Sequence, residues 1–151
     1  MKKKYLSVLQ ESFMLTLRSS HRNNYQLLET VEVTIWQVVL EIFLQYPTHN
    51  DLSNLSFMTI DLALTYGSLI VNTHLFFKLN LCGRLAQAIN IHLTPKVLSS
   101  RRTNSFPDML IANLKRFAVS IRACLDRPEL QSIAKQVRVL PSYQTINTFT
   151  F

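Results

Sequence analysis

The sequence predicts an all-α protein, a single-domain helical bundle of about five or six helices, and three observations carry that expectation. Apolar residues make up 48% of the 151 positions while glycine occurs only twice, too few for the tight hairpins of an all-β chain. Apolar positions recur at helical spacing in long stretches, separated by short clusters of Ser, Thr, Asn and Pro. A mass of 17.5 kDa suffices for one buried core and is too small for two ordinary domains. The expected units are a bundle over 1–140 and an extended C-terminal tail over 141–151.

Each element has its own signal. The first predicted helix, from Lys4 to Arg18, places Tyr5, Leu6, Leu9, Phe13, Leu15 and Leu17 among polar positions and ends at "SSHRNN". Asn24 is placed to cap a second helix from Tyr25 to Tyr46, which must stop before Pro47. Its stretch "VEVTIWQVVLEIFLQY" is apolar on most sides, as in a helix with neighbours on both flanks; the β-branched run also suits a strand, but its length argues for helix. "THNDLSN" then supplies capping residues for a third helix from Leu52 to Lys78. Whether "LNLCGRLAQAINIHL" continues that helix or starts a fourth near Asn80 is open, although Gly83 weakens an unbroken rod. Thr94-Pro95 ends that segment.

Ser105 opens "SFPDM", an S-x-x-D capping pattern with Pro107 in the first turn, where its missing N–H costs nothing. In the helix that follows, Leu110, Leu114, Phe117, Ile121 and Leu125 form one narrow stripe. Lys115 and Arg122 lie opposite it, and Arg116 and Arg127 share a flank. Asp126 opens "DRPEL", read as a D-x-x-E capping box for a last helix from Arg127 to Arg138. Pro141 ends that helix, and "SYQTINTFTF" is left as the tail, either disordered or docked on a partner through Tyr143, Phe149 and Phe151.

No catalytic or metal motif is present. His21, His49, His74 and His92 share no ligand spacing; H-E-x-x-H and E-x-x-H are absent, and His74 reads as a core histidine. Glu29 and Glu32 can share a helix face with Glu41 further along, a pattern that reads as an acidic surface patch rather than an acid-base pair. Gly67 and Gly83 stand alone, so no glycine-rich phosphate loop exists. Cys82 and Cys124 sit inside apolar helical patterns and read as reduced core thiols of a cytoplasmic protein. The start "MKKKYLSVLQ" is basic, but Gln10 and Glu11 break the apolar run that a secretory signal needs. Leu55 to Phe77 is the most lipid-like stretch, yet Asp61, Asn72 and His74 interrupt it, where a membrane span wants about 18 uninterrupted apolar residues. The expectation is a protein without enzymatic activity, cofactor or membrane partner.

Charge is the informative part of the composition. Net charge is +7, and the sequence pI is near 9.7. Residues 23–77 contain no Lys or Arg and hold Glu29, Glu32, Glu41, Asp51 and Asp61, while from Lys96 onward nine basic residues face three acidic ones. Such asymmetry points to a polyanion or to charge-matched neighbouring subunits. Lys and Arg neutralise phosphates with little demand on geometry, so Arg101 and Arg102 before a helix start, with Lys115, Arg116 and Arg122 along it, form the candidate nucleic-acid-binding set. A helix-turn-helix around "LDRPELQSIAKQV" is weaker, because its reading helix offers only Gln131, Lys135 and Gln136 to base edges.

With "MKKKYLSVLQ" at the start, apolar helices from Tyr25 to Leu93, and the basic segment "SSRRTNSFPDMLIANLKRFAVSIR", the chain resembles the small subunit of Cascade-type CRISPR effector complexes. That likeness rests on architecture over most of the chain. It implies a non-catalytic, helical ribonucleoprotein subunit in antiviral defence. Such a subunit stacks on further copies of itself and on other effector subunits, and helps hold target or displaced DNA by electrostatics while guide RNA reads sequence. It also allows for separate translation from the C-terminal part of a large subunit's frame. A helical protein-protein adaptor and a dimeric DNA-binding transcription regulator are the alternatives.

Overall fold

The protein is described by a computed structural model covering residues 3–5, 7–8, 11, 25–46, 49–92 and 106–149. Residues 3–5, 7, 8 and 11 are helical. Then follow α1 (Tyr25–Thr30), α2 (Val33–Gln45), α3 (Asn50–Tyr66), and α4 (Leu69–Thr73), which runs into a π-helical turn at His74–Lys78. Next come α5 (Leu81–His92), α6 (Phe106–Leu125), a 3₁₀ turn at Pro128–Leu130, α7 (Gln131–Arg138) and α8 (Pro141–Phe149). Among the described residues there is no strand, and the all-α expectation holds. The expected ends of the first helix at Arg18 and of the fourth segment at Thr94-Pro95, the cap at Asn24 and the Ser105 hydroxyl all lie outside the described residues.

The helices are shorter and more numerous than the five or six expected, because two of the predicted rods are interrupted and the chain from Pro141 to Phe149 forms a helix of its own. Val31 and Glu32 separate α1 from α2; Glu32 is extended, with φ −63° and ψ 144°. Glu29 and Glu32 therefore do not share one helix face, as the sequence reading had it. The predicted Leu52–Lys78 helix breaks at Gly67–Ser68, where a β-carbon on Gly67 would come within 2.3 Å of the Ala63 carbonyl oxygen. Ser68 restarts the chain, its hydroxyl accepting from the Val71 N–H at 3.4 Å. In the π turn, the Leu79 N–H donates to the His74 carbonyl at 2.9 Å, five residues back. A separate fourth helix does begin at Leu81, after Asn80 turns the chain with φ 53°.

Two further expectations are corrected. Asp126 does not cap a helix: the extended Arg127 precedes the 3₁₀ turn without a side-chain capping bond. Asp126 instead accepts from Arg138 Nη2 at 2.7 Å. Pro141 to Phe149 is helix and not extended tail, while Thr150 and Phe151 lie outside the described residues. Pro141 occupies the first position of α8, where its ring presets the helical φ. Tyr143 and Ile146, three residues apart, are buried on one side of α8, and Phe149 packs beside them. The Ser, Thr and Asn content suits turns better than helices, and packing on α5, α6 and α7 overrides it.

The core sits around α6. That helix packs against α3, α5, α7 and α8, and α2 packs against α3. Leu110, Leu114, Phe117, Ile121 and Leu125, the stripe foreseen from the sequence, are all buried. Phe117 meets Phe43 of α2 and Phe57 of α3 edge-on, with ring centroids 4.9 and 4.8 Å apart. Two polar contacts hold the same helix, one near its middle and one at its C-terminal end. Asn113 donates to Ser53 Oγ at 2.8 Å, and Cys124 Sγ donates to Asn72 Oδ1 at 3.1 Å. Asn72 in turn donates to the Gly67 and Ser68 carbonyls at 3.0 Å each, so the α3–α4 break is satisfied and tied to α6.

Urea unfolding followed by circular dichroism should rank three truncations. Phe117→Ala loses about 3–5 kcal/mol and Ile146→Ala about 2–5 kcal/mol, since each leaves a cavity. Val139→Ser, at a side chain 77% exposed, changes stability by less than about 0.5 kcal/mol. A silent Ile146→Ala would contradict the packed α8.

Candidate nucleic-acid interface

Of the five predicted phosphate-contacting residues, Arg101 and Arg102 lie outside the described residues, and Lys115, Arg116 and Arg122 all lie on α6. Their environments differ. Lys115 is exposed and enters no ion pair among the described residues. Arg122, expected to project fully outward, is half-buried near the end of the helix. Arg116 is exposed but held: Nη1 donates to Asn54 Oδ1 at 2.7 Å and to Asn113 Oδ1 at 3.1 Å, and the guanidinium carbon stands 4.2 Å from the centre of the Phe57 ring. Nη1 supplies two of five N–H donors, leaving Nη2 and Nε for a ligand.

The rest of the basic C-terminal segment is largely consumed by the fold. Arg127 Nη1 donates to the Leu64 carbonyl in the last turn of α3 at 3.0 Å and pairs with Glu129 at 2.8 Å. Arg138 Nη2 and Gln131 Nε2 both donate to the Leu125 carbonyl at 3.1 Å, closing the end of α6. Helix C-termini leave carbonyls without intrahelical partners and carry partial negative charge, so cationic side chains satisfy both demands at once. Gln131, foreseen as one base-reading side chain of a helix-turn-helix, is committed to backbone. Lys135 and Gln136 are exposed on α7, a helix of eight residues.

The acidic middle is also partly matched within the chain. Lys3 Nζ lies 2.6 Å from Asp51, and its hydrogen bond and charge hold the Asp51 carboxyl below the usual carboxylate range. Arg84 hydrogen-bonds Glu41 across the α2–α5 gap. Asp61 is half-buried on α3 and shares a shallow depression of about 380 Å³ with Phe57, Lys115, Arg116, Val119 and Ser120. The sequence singled out the cations but not Asn54, Phe57 or Asp61, because the groove joins residues some sixty positions apart. The only local hint was the three-residue spacing of Asn113 and Arg116, which puts them side by side on α6.

His49 and the two cysteines serve the fold. His49 caps α3, its Nδ1 accepting from the Leu52 N–H at 3.2 Å, and His74 is half-buried at the start of the π turn. Among the described residues, no three His, Cys, Asp or Glu side chains gather in a way that could hold a metal ion, and no helix is long and apolar enough to cross a membrane. Cys82 and Cys124 are free and buried. Burial pushes the Cys82 thiol up to about 12; burial, partly offset by Arg127, pushes Cys124 up to about 11.

Both thiols are thus neutral in the fold, whereas an unfolded thiol ionises near its ordinary value of 9.0. Their contribution to stability is intact below that value and is lost as pH rises towards the folded values. At about pH 8 both should label slowly with a disulfide reagent in the native chain and rapidly in concentrated guanidinium. Rapid native labelling would contradict their burial.

Comparison with protein-family models, curated proteins and solved structures finds no match to this chain.

Proposed function

We propose that this chain is a non-enzymatic nucleic-acid-binding subunit, contacting the backbone through the outer side of α6 and the arginine pair that precedes it in sequence. The observation that carries the reading is the division of labour among the C-terminal cations. Arg127 and Arg138 are spent on helix ends, while Lys115 is exposed with no ion pair among the described residues and Arg116 is braced with donors left over. Neither of these two side chains is needed to close a helix end, and both lie within one turn of α6. A phosphate requires only charge and donors at such a surface.

The finer form of the proposal is the small subunit of a Cascade-type CRISPR surveillance complex, acting in the cytoplasm. There it takes no part in sequence reading and holds target or displaced DNA beside further copies of itself and other effector subunits. Support comes from the all-helical architecture together with the surplus of positive charge. A helical adaptor is the second reading, favoured by Leu69, Ile70 and Phe77, which are 43%, 53% and 41% exposed on α4 and its π turn.

Fluorescence anisotropy with a labelled single-stranded oligonucleotide tests the proposal. Affinity should fall steeply with salt, and changing Arg101, Arg102, Lys115 and Arg116 together to Ala should flatten the log–log salt slope by about 3, near 0.7 for each lost phosphate contact. Unchanged binding by the quadruple variant would overturn the reading, and co-purification of a stable protein partner without nucleic acid would favour the adaptor.

A further inference from the structure

The depression between α3 and α6 has more chemistry than phosphate neutralisation needs. One side of the Arg116 guanidinium is occupied: Phe57 lies under it at 4.2 Å, and Asn54 and Asn113 take hydrogen bonds from Nη1. Its orientation is therefore set before any ligand arrives, and the same guanidinium, a flat and weakly hydrated surface, lines the groove. Such a surface is a stacking platform for a planar base. Asp61 follows Phe57 by one turn of α3, about 6 Å along the axis. It lines the same groove as Arg116, with Lys115 at the solvent edge and Val119, 56% exposed, offering apolar contact. A carboxylate is misplaced in a site built only for phosphate, since it repels the ligand. It suits a ligand that carries N–H donors beside its phosphate.

We infer that this groove holds one unpaired nucleotide with its base stacked on Arg116, its phosphate at Lys115, and its edge against Asp61, and that guanine is the base it favours. A carboxylate offers two acceptor oxygens side by side. Guanine presents two adjacent donors, N1–H and the N2 amino group. Adenine and cytosine each place an acceptor nitrogen beside their amino group, and thymine and uracil flank their single N–H with carbonyls. The pairing at Asp61 thus discriminates by leaving acceptors face to face for every other base. The inference rests on the nucleic-acid reading above and adds a base preference to a surface otherwise blind to sequence.

The test uses the full chain and two ten-nucleotide probes, all thymidine or thymidine with one central guanosine, together with their ribose counterparts built on uridine. The guanine-containing probe should bind about tenfold more tightly, the scale of one charge-assisted hydrogen bond to Asp61, and equally so in both sugars. Asp61→Asn should abolish that preference while retaining affinity for the homopolymer. Arg116→Lys, which keeps the charge, should abolish it without changing the salt slope. Equal binding of the two probes by the unaltered chain, or a preference that survives Asp61→Asn, overturns the inference and leaves backbone binding standing. Failure to bind any probe overturns both.

Discussion

Phe117 is the contact on which the rest of the structure depends. Its ring is fully buried and meets the rings of Phe43 and Phe57 in two edge-on contacts, so that α2, α3 and α6 converge on one residue. Each aromatic pair adds about 0.5–1.5 kcal/mol beyond the area it buries. The geometric effect matters more than that increment. Fixing Phe57 from inside also fixes the ring on which Arg116 rests outside, so a core contact sets the position of a surface cation. The chain Phe43–Phe117–Phe57–Arg116 runs from the interior to the groove without passing through a flexible side chain unsupported by a neighbour.

The apolar stripe of α6 was legible from the sequence because 3.6-residue periodicity over twenty residues leaves one solution for which face is buried. The breaks were not. Gly67–Ser68 interrupts a stretch that is apolar on both sides, and its stability comes from Asn72 and Cys124, a partnership across more than fifty residues. The same holds for α8. Its residues favour turns when considered alone, and only the bed provided by α5, α6 and α7 makes Tyr143 and Ile146 core residues. Pro141 carried an ambiguous signal, since proline both ends one helix and opens the next.

The surplus positive charge was equally legible as a total and illegible in its allocation. Arg116, Arg127 and Arg138 look alike in sequence, yet Arg127 and Arg138 bond helix-terminal carbonyls and Arg116 does not. Which arginine meets a carbonyl depends on where α3 and α6 end in space, and that is a tertiary fact. The same tertiary fact brings Asp61 into the groove with Lys115 and Arg116, which no linear spacing foretold.

Photocross-linking of a thiothymidine-bearing single strand to the full chain, with the attached peptides identified by mass spectrometry, addresses the central claim most directly. The account places cross-links on α6 between Lys115 and Arg122 and on the segment containing Arg101 and Arg102. Cross-links confined to the basic residues of 1–22, or to α7 around Lys135, would contradict it.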